Sequence, residues 1–414
     1  MRIAVIGSGI AGLASAWLLA REHDVTLYEA NDYLGGHTHT HDVEVGGRCH
    51  AVDTGFIVFN EPHYPLLHKL FGALDVDTQP TTMSFAVKNE GTGLEYNATD
   101  LRGLFCQRRN LFSPRFWRML REIARFYRNA PDLLDRSEPG PTLGDYLAEH
   151  HYSDAFRDDH LVPMASALWS SPSAQIAQFP AKYLAQFMAN HQMLQVRGRP
   201  QWRVVKGGSQ SYVSALRKSW RLRERIGCAV TKLVRAGDGV RVDCVAGSDR
   251  YDHAVIASHS DQALGLLGDA SENERAILGA MPYQENDTVL HTDAGLLPRR
   301  RRAWAAWNAL VSADASKHCT VSYCMNLLQG LDCAEPIVVT LNRTDRIAPA
   351  KILKRMRYHH PLYTQAAVAA QSRKAQIQGI NRTWFAGAYW GWGFHEDGMR
   401  SAVEVANALG VRWP

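Results

Sequence analysis

The apolar run Ile3-Ala4-Val5-Ile6, without a polar break, predicts a short strand buried on both faces. Residues 10–21 are rich in Ala and Leu and predict a helix. Residues 24–29 predict a second strand, and that strand ends in an acid, Glu29. Further strand patterns fall at 228–234, 241–245 and 251–257, with a predicted helix between Gly207-Gly208 and the first of them. Near the other end, residues 381–387 read as a strand closing on Gly387, then a Gly- and Trp-rich loop, then a helix to about Leu409. Residues from about 81 to 197 are largely helical and aromatic in pattern, punctuated by Pro114, Pro131, Pro139 and Pro141. Strands alternating with helices predict an α/β fold.

The eighteen uncharged residues from Ile3 to Ala20 are long enough for a membrane helix. That reading, and a leader peptide, are set aside because of what surrounds the glycines. Strand, Gly7-x-Gly9-x-x-Gly12, helix, strand and terminal acid together form a dinucleotide-binding fingerprint. The first Gly permits the tight turn, the second lets a pyrophosphate approach the backbone, and the third lets the helix lie close to the strand. The helix N-terminus offers free N–H groups to the phosphates. Glu29 is placed to accept both ribose hydroxyls and to disfavour a 2′-phosphate. Directly after it come Gly35-Gly36, then His37, His39 and His41 on alternate positions, and later Asp53-Thr54-Gly55-Phe56. A simple NAD domain would enter a helix here; a Gly-Gly pair instead suggests backbone passing close to a bound ligand.

These motifs resemble the flavin-containing amine oxidoreductase superfamily. Longer stretches narrow the likeness: Leu161–Ser170, Asn190–Leu194, Arg199-Pro200-Gln201-Trp202, Trp304–Asn308, Met325–Gln329 and Gly387–Gly398. They are similar to those of bacterial FAD-binding proteins that resemble the N-terminal region of plant cyclopropane fatty acid synthases and the oxidoreductase of furan fatty acid formation. The resemblance covers the whole chain. It implies a Rossmann-like FAD-binding domain (1–80, 198–270 and 375–414) with a discontinuous mixed α+β substrate domain (81–197 and 271–374). It also implies noncovalent FAD held by Gly7, Gly9, Ala11, Gly12, Glu29, Gly35, Gly36, His37, Thr54, Gly55, the Val230 backbone, Gly387, Asp397, Gly398 and Met399. His37 stands where many relatives carry an Arg, and the C-terminal loop has no Cys where covalent relatives have one.

Relatives place a Lys near the reacting edge of the flavin. The corresponding strand here, 287–293, has none, so His291 is the candidate base or water holder, with a His on an ordinary sheet as the alternative. His395 is the second candidate catalytic group. Trp390, Trp392 and Phe394 are expected at the substrate, or else packed over the flavin; Phe394 takes the position of a frequent Tyr, which leaves an amine cage incomplete. A metal at His37, His39 and His41 is not expected, since no Cys or carboxylate frames them.

The formal net charge of +5 over 414 residues is too weak to argue for nucleic acid, and seven scattered Cys without a C-x-x-C pair fit a reducing cytosol. Arg299, Arg300, Arg301 and Arg302 precede Trp304. They read as a solvated loop or as a peripheral contact with the inner face of the membrane, and the lipid resemblance raises the second. The expected function is FAD-dependent removal of hydride from a hydrophobic substrate, a modified (methylated) fatty acyl chain. The alternatives are a lipid isomerase, an amine oxidase, or a non-catalytic flavoprotein partner of a lipid methyltransferase.

Overall fold

Strand Arg2–Ile6 is the middle of a five-stranded sheet, ordered 223–225, 24–28, 2–6, 253–256, 383–385. Every pairing in it is parallel. The computed structural model describes residues 1–135, 140–169, 173–195, 198–314 and 319–413; Pro139, Ser170 and the expected boundary at 197 lie outside the described residues. The unbroken apolar run is explained by cover on both faces. Ile3 and Val5 join Leu13, Leu27, Val255 and Met399 in one core, while Ala4 and Ile6 join Tyr28, Val242 and Ile256 in another. Helix Ile10–Leu19 is buried along its whole length. It packs against the last helix, His395–Ala408. Gly398 marks that crossing, because a Cβ there would lie 2.7 Å from Ile10 Cγ2.

A seven-stranded sheet forms the second layer, ordered 352–361, 283–291, 338–341, 320–324, 307–311, 85–89, 95–97. All its pairings are antiparallel except 307–311 with 85–89. The largely helical reading of residues 81–197 is therefore corrected at its start. Strands 85–89 and 95–97 are short, and Val87 and Tyr96 are fully buried between the sheet and helix Pro114–Asn129. The remaining helices build an aromatic core around Phe126, Tyr146, Phe156, Trp169 and Phe187. One wide helical turn, Arg157–Leu161, leads into helix Val162–Trp169. A three-stranded meander, 230–236, 239–244 and 247–251, flanks the parallel sheet. No helix among the described residues is long and apolar enough to cross a membrane.

Candidate functional site: a cavity from the glycine turn to the helical layer

The glycine turn is built by steric necessity. Gly7 has φ +97°, and its N–H donates to Tyr28 O at 2.8 Å. A Cβ on Gly12 would lie 1.9 Å from Gly7 O, so only Gly lets the helix sit against the turn. A Cβ on Gly9 would meet nothing within 4 Å, so this position opens onto free space. Beside it the Glu29 carboxylate is fixed from four sides. Oε2 accepts from Ser8 N (2.9 Å) and Ser8 Oγ (2.5 Å), and Oε1 accepts from Asn31 N (2.9 Å) and Asn31 Nδ2 (2.8 Å).

From here one cavity of about 1250 Å³ runs through the molecule. It begins at Gly7, Gly9, Ala11, Glu29 and Val230. It continues past Gly36, His37, Thr54, Gly55 and Phe56, and past Gly387, Phe394 and His395. It then extends as an arm between Met83, Phe85, Met164, Leu168, Phe187 and Trp202. The first two stretches fit an extended dinucleotide. Gly9 leaves room for phosphates, Gly36 has φ +58° with backbone bare to the cavity, and the buried His37 Nε2 has no protein partner. A ligand atom at that nitrogen would satisfy it.

The placement of the other expected residues is mixed. Gly12, Gly35, Asp397, Gly398 and Met399 do not line the cavity. They shape its walls instead, since Met399 is fully buried in the core and a Cβ on Gly35 would lie 2.4 Å from Thr38 O. Asp397 accepts from Trp392 N (3.0 Å) and Phe394 N (3.1 Å) and pairs with Arg400 (3.1 Å), so it folds the loop onto the helix. Trp390 and Trp392 are likewise off the lining. Trp390 Nε1 donates to Phe385 O (3.0 Å), and Trp392 packs edge-on to Phe187 and His191. Phe394 lines the cavity, stacked on Phe187 at 5.2 Å.

His291 is also away from the cavity. Strand alternation puts Thr288 on the lining and turns His291 to the opposite face, where Nε2 lies 2.8 Å from Thr340 Oγ1 and Nδ1 accepts from Asp293 N (3.0 Å). His395 does reach it. Its ring stacks on Phe56 at 3.7 Å, and its Nε2 lies 3.0 Å from Thr38 Oγ1. His37, His39 and His41 divide. His37 enters the cavity, while His39 stacks on Tyr33 and against His41 outside it. Trp304 turns inward, with Nε1 donating to Pro298 O (2.7 Å).

Residues the sequence did not single out fill the remaining wall. Tyr358, His359 and His360 come from strand 352–361, and His160 and Tyr127 from the helical layer. A π-type turn over 157–161 carries His160 inward, and no hydrophobic period signals it. The imidazoles of His37 and His395 are neutral. Burial, with neighbouring His259 and His359, pushes His37 down to about 3. Burial, then His37 itself, does the same for His395, to about 3. They are hydrogen-bonding groups at neutral pH, not charges, so removal of His395 as His395→Gln is expected to leave the pH profile of turnover unchanged in shape between about pH 5.5 and 8.

Imidazoles buried in the neutral form make stability depend on pH, His160 and His291 among them. Burial lowers His160 to about 4, and Arg199 adds to it; burial lowers His291 to about 4. Between their unfolded and folded values the unfolded chain binds protons that the folded chain refuses, so stability falls as pH drops from about 6.5 toward 4. Each contributes a loss of about 1.4 kcal/mol at about pH 5.5, and none above pH 7. Urea unfolding of His160→Phe is expected to show a pH-dependent loss smaller than the parent's by that amount.

Cys228 is the one Cys lining the cavity among the described residues, and it sits beside Val230 at the far end from Phe394 and His395. Acid precipitation of the protein is accordingly expected to leave the flavin in the supernatant; a yellow pellet would contradict noncovalent binding.

The family model for flavin containing amine oxidoreductase matches residues 10–277. The 1-hydroxycarotenoid 3,4-desaturase of Flavobacterium sp. (strain P99-3) is 43% identical over 75 residues, 18% of this chain and 14% of that protein's length. Cyclohexylamine oxidase from Brevibacterium oxydans IH-35A superimposes with TM-score 0.66 at 17% identity, covering 99% of each chain. The CLA-producing fatty acid isomerase from P. acnes does so with TM-score 0.66 at 15% identity, covering 98% of each chain. At these identities the two structures show a shared fold.

Proposed function

The chain belongs to the flavin containing amine oxidoreductase family and is an FAD-dependent oxidoreductase; on that premise we propose that its substrate is hydrophobic, a modified (methylated) fatty acyl chain. The observation that carries this is the chemistry of the arm. Among the described residues Glu29 is the single carboxylate on the cavity lining, and it lies at the dinucleotide end. An ammonium bound in the arm would find no counter-charge, and burying it unpaired is costly. The walls are Met, Leu, Phe and Trp, which adapt to an alkyl chain.

The polar exceptions suit an acid head. Arg199 lines the arm and touches Tyr127, its Nε donates to Gln195 O (2.9 Å), and the buried His160 Nε2 has no partner. A guanidinium and a phenol are donors for a carboxylate. His160 Nε2 is an acceptor, because the Tyr96 hydroxyl donates to Asp159 O (2.8 Å) and accepts from His160 Nδ1 (2.9 Å), which therefore holds the ring proton. Bound FAD supplies the hydride acceptor. The protein excludes water with Phe394, Phe187 and Phe56, and His395 is held by Thr38 and Phe56 to orient what lies beside it. Two similar proteins are named for a fatty acid and a carotenoid, which supports an apolar chain. A lipid methyltransferase belongs to the same proposal as the expected partner.

Anaerobic mixing of the holoenzyme with methylated fatty acids and with a panel of amines tests the proposal. Lasting bleaching of the flavin by the acids and not by the amines is expected. Bleaching by amines alone would overturn it. Product formed while the flavin stays oxidised would replace oxidation by isomerisation.

A further inference from the structure

Half of the large apolar side chains left exposed among the described residues lie within residues 101–117. Phe112 is 85% exposed and Leu101 73%, with Leu111 and Trp117 at 44% each. The segment is not loosely held. Asp100 Oδ1 accepts from Gly103 N (2.6 Å), Trp117 Nε1 donates to Leu111 O (2.9 Å), and Phe105 packs on Phe116 and Trp117. These side chains are thus presented to the outside by a fixed scaffold.

The surrounding charge is predominantly positive, although the exposed Asp100 adjoins Leu101 and Glu122 pairs with Arg118 (3.2 Å). Residues 101–121 contain no Asp or Glu, and Arg102, Arg108, Arg118 and Arg121 are exposed there. Arg121 stands one turn beyond Trp117 on helix Pro114–Asn129. The turn Arg301–Ala303 packs against the turn Leu101–Leu104, which adds the exposed Arg301 and Arg302 to the same surface. A rigid apolar tip ringed by guanidinium groups is complementary to a bilayer with anionic headgroups. Apolar side chains enter the interfacial layer while the cations meet phosphate.

We infer that the face formed by Leu101, Leu111, Phe112 and Trp117, with its arginine rim, docks the protein on an anionic phospholipid surface. The anchor is therefore this segment and not Trp304, whose indole is bonded inward. The face also adjoins the cavity. Ala98 and Thr99, just before Leu101, line it and are exposed. Docking there would turn an opening of the cavity toward the membrane; that consequence alone rests on the acyl reading, and the docking itself does not.

Flotation of the flavin-loaded full chain with vesicles tests this. One set is phosphatidylcholine alone, and the other contains phosphatidylglycerol as the minor component. The protein is expected to float with the second set and to be released by salt. Phe112→Ser is expected to lower the partition coefficient about tenfold or more, and Arg102→Glu with Arg108→Glu by a similar factor on anionic vesicles only. Retained flavin and an unchanged melting profile report that the variants fold. Absence of flotation by the parent, or equal flotation of parent and Phe112→Ser, would overturn the inference. So would a Phe112→Ser variant that floats unchanged but loses a dimer seen by light scattering, since the face would then pair with a second copy. Methylated acids that fail to bleach the flavin would leave the flotation result standing and remove only the acyl reading.

Discussion

Gly12→Ala is expected to give a chain that retains no flavin after purification and unfolds several degrees or more below the parent. The added methyl would lie 1.9 Å from Gly7 O and 2.9 Å from Gly7 C, both backbone atoms of the turn itself. No rotamer change relieves such a contact. The helix must move from the strand, which breaks the Gly7 N–H bond to Tyr28 O and disturbs a sheet and helix buried throughout. Overpacking of this kind costs about 3 kcal/mol or more. Gly9→Ala is the discriminating control. Its methyl meets nothing within 4 Å, and Gly9 has φ −63°, which Ala adopts without strain. That variant is expected to fold with the parent's thermal midpoint in the absence of FAD, yet to bind FAD more weakly, because the methyl fills the space left for phosphates. Flavin content after gel filtration and the melting temperature of each stripped variant check both expectations.

Leu168→Trp should abolish most turnover without touching the cofactor. Leu168 lies on helix Val162–Trp169 and lines the arm, well away in sequence from every element of the glycine turn. An indole there occupies volume that an alkyl chain needs. The expected outcome is a fall in kcat/KM of about a hundredfold on a methylated acyl substrate, equivalent to about 2.7 kcal/mol at the transition state, with full flavin content. Steady-state kinetics beside flavin stoichiometry separate this from misfolding. An unchanged kcat/KM would mean that the substrate reaches the flavin by another route.

The contrast between these two sites reflects what a sequence can reveal. The glycine turn was legible because its chemistry is local. Three glycines, two flanking strands and Glu29 lie within thirty residues, and each spacing has one steric meaning. The last helix was legible for the same reason, although its residues act differently from expectation. Asp397 folds the loop, and Gly398 admits Ile10, where direct contact with the ligand was expected. The substrate arm is assembled from distant segments, and its members carry no motif. His160 is placed by a π-type turn, and His360 by a strand pairing in which its partner, Gln284, lies 76 residues away. His291 shows the limit from the other side. It was the sole His of its strand and chemically apt, but a period of two decides the face, and Thr288 was the residue whose parity led inward. Trp390 and Trp392 misled because an aromatic loop beside a cavity looks the same in sequence whether its rings face the ligand or the neighbouring helices.

Electron density for the full chain crystallised with FAD and a long-chain carboxylic acid tests the central claim most directly. The account predicts the dinucleotide along Gly7, Gly9 and Glu29, with its ring system between Gly36, His37 and His395. It predicts the alkyl chain between Phe187 and Leu168, with the carboxylate at Arg199. Acid density elsewhere on the protein, or an arm closed to the alkyl chain while FAD is bound, would contradict it.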